Sequence, residues 1–235
     1  EFTSDISLHD AKLLADNLGV NYKIIPITDA MSHLDTMLEP HFKNTAKGVA
    51  EENIQSRLRG LTLMAYSNKF GPMVLATGNK SEYAAGYATL YGDMCGGYAP
   101  IKDVWKTTVF DLCKWRNNHI PRLSSVLAKN VIPERIISRP PSAELRADQQ
   151  DTDSLPEYNI LDPILIALTE EMADIGTITE RGFNRNDVEK ASQLLFRAEY
   201  KRFQAAPGPK ITSRAFGRDR RLPLTSGFRP TFHLR

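Results

Sequence analysis

The run Met73-Val74-Leu75-Ala76 passes straight into Thr77-Gly78-Asn79-Lys80-Ser81-Glu82, and helical spacing flanks the pair on both sides. That order restricts the fold more than any other feature of the chain. Four apolar residues without polar alternation suit a short parallel strand buried on both faces. Ahead of them, Val49 to Phe70 places Ile54, Leu58, Leu61 and Ala65 on one apolar stripe, and Gly71-Pro72 ends the helix. Behind them a helix restarts near Ser81. Helix, buried strand, polar turn and helix form an α/β unit, and such units bind ligands beyond the carboxyl ends of their strands.

The turn has the chemistry for a phosphorylated ligand. The Thr77 hydroxyl, Gly78 and the free N–H groups of a new helix can hold phosphate or ribose oxygens. Lys80 adds positive charge, and Glu82 can hold a divalent cation or accept from a hydroxyl. The ordinary alternative is a βα turn with a capping serine. Other candidates share this ambiguity. Lys106 opens a helix beside Thr107, where an anion can be met, or it is a surface lysine. Ser142 follows two prolines in a rigid turn, or simply caps. Asn53 and Arg57 lie four apart on one helix face. Lys201 ends a helix, where a cation suits the dipole without any ligand.

Elsewhere the pattern is a series of helices with few strands. Ser7-Leu8-His9-Asp10 has capping-box spacing, with Ala11, Leu14, Ala15 and Leu18 behind it and Gly19 as the stop. Tyr22 to Ile27 reads as a strand, and Thr28-Asp29 opens a helix that Pro40 ends. Tyr91 to Pro100 reads as a glycine-rich loop. Lys106 to Trp115 and a short segment after Pro133 read as helices, as do Ile160 to Ala173 and Asn186 to Tyr200. Ala147 to Glu157 is acidic and reads as a mobile loop. Residues 1–206 form one domain on this reading, and 207–235, opened by Pro207-Gly208-Pro209, form a basic irregular tail.

Composition excludes several classes. The longest apolar runs span only a few residues, against about 20 for a membrane span. Cys95 and Cys113 lie in no CxxC pattern and read as reduced thiols of a cytoplasmic protein. The five histidines lack HxxxH or HExxH spacing, which argues against a protein-built zinc site. Neither GxSxG, Walker A nor GxGxxG occurs. The net charge is +2, yet Arg197 to Arg235 holds ten Lys/Arg against Glu199 and Asp219, so that end should attract anions.

Taken in order, several stretches resemble the NAD synthetases. These are Glu52-Asn-Ile-Gln-Ser-Arg-Leu-Arg59, Ala76-Thr-Gly-Asn-Lys-Ser-Glu82, Gly86-Tyr-Ala-Thr-Leu-Tyr-Gly-Asp93, Pro140-Pro-Ser-Ala-Glu-Leu145 and Glu199-Tyr-Lys-Arg202. Arg214-Ala-Phe-Gly-Arg-Asp-Arg-Arg221 is similar to the family's basic ending. The wording from Tyr91 to Tyr98 is nearer the glutamine-dependent bacterial enzymes. The resemblance implies an α/β fold with a doubly wound parallel sheet of the ATP-pyrophosphatase (adenine nucleotide alpha hydrolase-like) type. It also implies that the first strand or strands, the family's Ser-Gly-Gly-x-Asp-Ser loop and the glutamine-hydrolysing domain lie outside these residues. On that account the chain by itself is expected to be inactive or nearly so.

The implied reaction has two steps. ATP adenylates the carboxylate of deamido-NAD and releases pyrophosphate; ammonia from glutamine then displaces AMP. By motif, Thr77, Lys106 and Ser142 match ATP contacts. Asn53, Arg57, Glu82 and Lys201 match deamido-NAD contacts, and Glu82 also matches a Mg²⁺ position. Leu90 and Tyr200 depart from the lysine and histidine of ammonia-only relatives. The family also implies a homodimer or larger homo-oligomer, with the helix Val49 to Phe70 able to pair across an interface. The rival readings are another ATP-pyrophosphatase ligase, such as a GMP synthetase, and a basic nucleic-acid-binding module whose binding would fall steeply with salt.

Overall fold

A computed structural model describes residues 2–225. Ten α-helices and one 3₁₀ turn are found among them: α1 (Asp5–Leu18), α2 (Thr28–Leu38), α3 (Val49–Phe70), α4 (Lys80–Ala85), α5 (Lys106–Asn118), α6 (Glu134–Ser138), the 3₁₀ turn Asp151–Asp153, α7 (Tyr158–Thr169), α8 (Ile175–Glu180), α9 (Arg185–Arg197) and α10 (Glu199–Phe203). No helix among the described residues is long and apolar enough to cross a membrane. The chain divides into two compact units. One holds the residues up to Gln55 together with Thr108–Ser154, and the other holds Ser56–Thr107 and the residues from Leu155 on.

In the first unit, α1 begins earlier than the Ser7 capping box suggests. Ser4 is the N-cap, its hydroxyl accepting from the Ser7 N–H, and Ser7 falls inside the first turn. Gly19 ends the helix as expected, in the left-handed conformation at φ 65°. Asp10 takes a two-pronged bond from Arg135 of α6, at 2.6 and 2.8 Å. Asn117 exchanges bonds with Ile132 in both directions, at 2.8 and 2.9 Å. Ala147 to Glu157 is not the freely mobile loop its acidity suggested. Asp151 and Leu155 are buried, and the Asp151 N–H bonds the Pro141 carbonyl.

The second unit carries the larger core. α7 supplies Leu161, Ile164 and Leu165, against which Ile178 of α8, Val188 and Leu195 of α9, Ala84 of α4 and Trp105 pack. Each is nearly or fully removed from solvent. At roughly 1.5–3 kcal/mol per buried aliphatic side chain, this cluster is the main cohesive element of the unit. The helix expected from Asn186 to Tyr200 is divided at Ala198 into α9 and α10.

Two strand expectations fail. Tyr22 to Ile27 is irregular, with Ile24 and Ile25 exposed. Met73 to Ala76 makes a single parallel bridge, Leu75 with Tyr98, through Ala76 N–H to the Tyr98 carbonyl and Gly97 N–H to the Val74 carbonyl, both 2.9 Å. Only Ala76 is buried, at 1% exposure, whereas Met73 stands at 66% and Leu75 at 53%. A strand is held by its partners' backbone groups, and no named strand pairs with either segment among the described residues. The apolar stripe on α3 is also misplaced: Leu61 is 64% exposed, and Gln55, Ser56 and Gly60 are the buried positions.

Candidate functional site

The turn after Ala76 is built by reciprocal capping. The Asn79 side chain accepts from the Glu82 N–H, and Glu82 Oε2 accepts from the Asn79 N–H, each at 3.1 Å. The capping box fixes both the start of α4 and the aim of the Glu82 carboxylate. Its other oxygen, Oε1, meets Lys106 Nζ at 3.2 Å. The Lys106 ammonium also lies over the Tyr158 ring, 5.5 Å from its centre. Glu82 and Lys106 are therefore brought together, both partly open to solvent. Thr77 is exposed beside them in sequence. Behind the turn, the Tyr83 ring packs on Gly78 so closely that an added Cβ would lie 3.0 Å from it. The Tyr83 hydroxyl is buried without a hydrogen-bond partner, and burial, then Asp93 and Glu82, push its pKa up to about 12.

The first two N–H groups of α5 are not offered to an outside anion. The Lys106 N–H donates to Ser81 Oγ, and the Thr107 N–H and hydroxyl both donate to Asp162 Oδ2, all at 2.9 Å. Burial raises Asp162, partly offset by bonds from Ser81 and Thr107. An anion approaching here meets the Lys106 side chain.

Lys80 also departs from its expected role. It is fully buried, with Nζ 3.0 Å from both Asp103 and Glu170, 2.8 Å from the Arg214 carbonyl and bonded to the Thr212 hydroxyl. Its charge is spent on holding the segment 212–214 beneath α4. Trp105 completes the cluster, its indole N–H donating to Glu170 Oε1 at 2.8 Å. Burial alone would raise Asp103, but the N–H groups of Ile211 and Thr212, with Lys80, hold it below the usual carboxylate range. Glu170 likewise is lowered despite burial, by Lys80, Trp105 and Ser213. Carboxylates with depressed pKa contribute stability above their ordinary range near pH 4 and lose it as pH falls through the depressed values. Asp162 shifts oppositely. Melting followed by circular dichroism should thus show an acid limb below about pH 4 that is shallower in Lys80→Met. An equal slope in both proteins would contradict this account.

Lys201 reaches the end of α4 and not the end of its own helix. Nζ donates to the Gly86 and Ala88 carbonyls, each at 2.7 Å, and burial lowers its pKa, with Asp93 opposing. Arg57 is exposed on α3 and bonds the Leu90 carbonyl at 3.1 Å. Asn53 and Ser142 belong to the first unit. Asn53 is half-buried on α3, and Ser142 Oγ accepts from the Glu144 N–H at 3.1 Å. Glu144, at φ 49°, in turn takes bonds from the Ser4 and Ser7 hydroxyls and from Arg139. Among the described residues no three His, Cys, Asp or Glu side chains cluster as a metal cage.

The residues missed by sequence reasoning are Asp103, Asp162 and Glu170, and Ser81, read as a cap, bonds Asp162 while Asn79 caps α4. Ser81 follows Lys80 in the turn, but its partner Asp162 stands 81 positions away, and Glu170 stands 90 from Lys80. No local spacing marks such pairs. The basic ending is docked in part: Ala215 is buried and Arg220 reaches the Leu168 carbonyl. Arg229 and Arg235 lie outside the described residues.

The family profile described as NAD synthase matches residues 1–205. A glutamine-dependent NAD(+) synthetase of Acinetobacter baylyi is 52% identical over 229 residues, which are 97% of this chain and 41% of that protein. One from Rhodobacter capsulatus is 50% identical with the same coverage. Among solved structures, the glutamine-dependent NAD+ synthetase of Acinetobacter baumannii, in complex with ADP, aligns over 95% of this chain and 39% of its own, at 47% identity and a TM-score of 0.55. That of Cytophaga hutchinsonii, 21% identical over 96% of this chain and 37% of its own, scores 0.76 and shows the shared fold. This chain thus spans about two fifths of the length of these relatives. With a profile match over most of its length and half of its residues shared with such enzymes, the chain belongs to the NAD synthase family.

Proposed function

We propose that this chain carries the synthetase part of a glutamine-dependent NAD synthetase. It serves the ATP-dependent amidation of deamido-NAD to NAD through an adenylated intermediate, releasing AMP and pyrophosphate, with ammonia drawn from glutamine. The observation that carries the proposal is the Glu82–Lys106 pair at 3.2 Å, set by a capping box in the turn that the family's motif order marks for ligand contact. In this reading Thr77, Lys106 and Ser142 meet ATP. Asn53, Arg57, Glu82 and Lys201 meet deamido-NAD. The Lys106 ammonium would leave Glu82 for the phosphates and stabilise the charge that builds on them. Lys201, with two carbonyls already held, fixes the segment 86–88 and keeps one N–H for substrate.

The donor set fits Mg²⁺ in a limited way. Mg²⁺ commonly takes one or two carboxylates and completes its shell with phosphates and water, so Glu82 alone could supply this chain's share. When bound, the ion would offset the charge of departing pyrophosphate. We also read residues 1–206 as the synthetase domain within the doubly wound parallel sheet of the ATP-pyrophosphatase type, and 207–235 as its basic ending. A homodimer is part of the reading, supported by the exposure of Leu61, Leu63 and Phe70 along α3.

The test is a quenched incubation of the intact protein with ATP, ammonia and deamido-NAD, followed by chromatography. NAD should appear in step with AMP. AMP formation that requires xanthosine monophosphate or aspartate in place of deamido-NAD would reassign the chain to another ligase of the same fold.

A further inference from the structure

A cavity of about 260 Å³ lies in the second unit, between α10 and the segment Ala205–Arg221. None of Thr77, Glu82, Lys106 or Lys201 lines it. Its walls are fixed by hydrogen bonds. The Ala99 N–H meets the Pro207 carbonyl at 2.8 Å, and Asp103 accepts the Ile211 and Thr212 N–H groups at 2.7 Å. Gly208 lies so close to Ala99 and Lys102 that a Cβ there would collide with both, at 2.3 and 2.5 Å.

The charge lining it is unbalanced. Both carboxylates are committed: Glu199 to Arg202 at 2.8 Å, and Asp103 to Lys80 at 3.0 Å. Lys210 pairs with Asp219 at 2.8 Å. Three further lining cations, Lys102, Arg218 and Arg221, have no carboxylate within ion-pair distance among the described residues. Lys102 is half-buried, and its ammonium donates to the Ala206 carbonyl at 2.6 Å, which uses one of three N–H bonds. Burial lowers its pKa against the pull of Asp103, which an incoming anion would counteract.

Ordinary ligand pockets measure roughly 300–1,000 Å³, so this one suits a small occupant. We infer that it binds a multiply charged phosphate-type anion, of pyrophosphate size, held by Lys102 within and by Arg218 and Arg221 at the rim. The inference goes beyond the proposed function and does not depend on it.

Calorimetric titration of the chain with inorganic pyrophosphate tests it. Saturable binding is expected, weakening as salt rises. Lys102→Met and the pair Arg218→Gln with Arg221→Gln should each lower the affinity about ten- to hundredfold, as for loss of a hydrogen bond to a charged group. Lys190→Met, on the exposed side of α9 and away from the cavity, should leave the binding intact. The two arginines are exposed, so the double variant serves even where Lys102→Met fails to fold. A parallel titration with ATP separates the sources. If the arginine variant weakens ATP as well, the anion is the phosphoryl end of a nucleotide; if it weakens pyrophosphate alone, the anion is free. No saturable heat up to about 5 mM pyrophosphate, beyond which affinity is weaker than about −3 kcal/mol, would overturn the inference. So would an unchanged affinity in the cavity variants.

Discussion

Replacing Lys80 by methionine is expected to destabilise the second unit by about 3–5 kcal/mol, the range for removing one partner from a buried ion pair. Methionine keeps most of the volume, so the loss reports charge more than packing. It leaves Asp103 without its cation and removes a donor from Glu170, the Thr212 hydroxyl and the Arg214 carbonyl at once. At roughly 2–4 °C per kcal/mol for a chain of this size, the melting transition should fall visibly. Urea unfolding provides the check, and a change below about 1 kcal/mol would show that water or neighbours replace the ammonium freely. A triple variant that also carries Asp103→Asn and Glu170→Gln should recover part of the loss, because neutral partners no longer strand a buried charge.

Lys106→Met should act on turnover and scarcely on folding. Its ion pair with Glu82 is partly open to solvent, so its loss should cost less stability than that of the fully buried Lys80 cluster. As the side chain that meets phosphate charge in the proposed reaction, its removal should lower kcat of the intact protein about 10²–10³-fold, the scale for loss of one well-placed electrostatic contact. Steady-state measurement of pyrophosphate and NAD release, with the melting temperature as a control, separates the two effects. A fall in stability matching the fall in rate would reduce Lys106 to a scaffold residue. Lys106→Arg should recover little, because the guanidinium fork differs in shape and reach from an ammonium.

The sequence was informative where local rules apply. Gly19 as a stop, the bounds of α3 and the polar turn before α4 follow from capping, helical period and the Gly71-Pro72 break. It misled where packing across the chain decides. The stripe Ile54-Leu58-Leu61-Ala65 pointed to one face of α3, but Gly60 lets the helix approach the Tyr91 and Gly92 carbonyls, where an added Cβ would come within 2.9 Å, and so turns another face inward. The strand expectations depended on partners that the local pattern cannot supply. Of the site, Glu82 and Lys106 were named and do meet, whereas Lys80 was read as adding charge to the turn and serves the interior. A lysine in a motif reads alike in both cases, because its acceptors come from residues far along the chain.

The internal capping of α5 has a consequence for how an anion is recognised there. With Ser81 and Asp162 occupying the first two amides, those groups impose no shape on a guest. What remains is a single positive head on a supple hydrocarbon tether. Such a group can swing with a departing fragment, keeping contact through a change of position that a fixed ring of donors would resist.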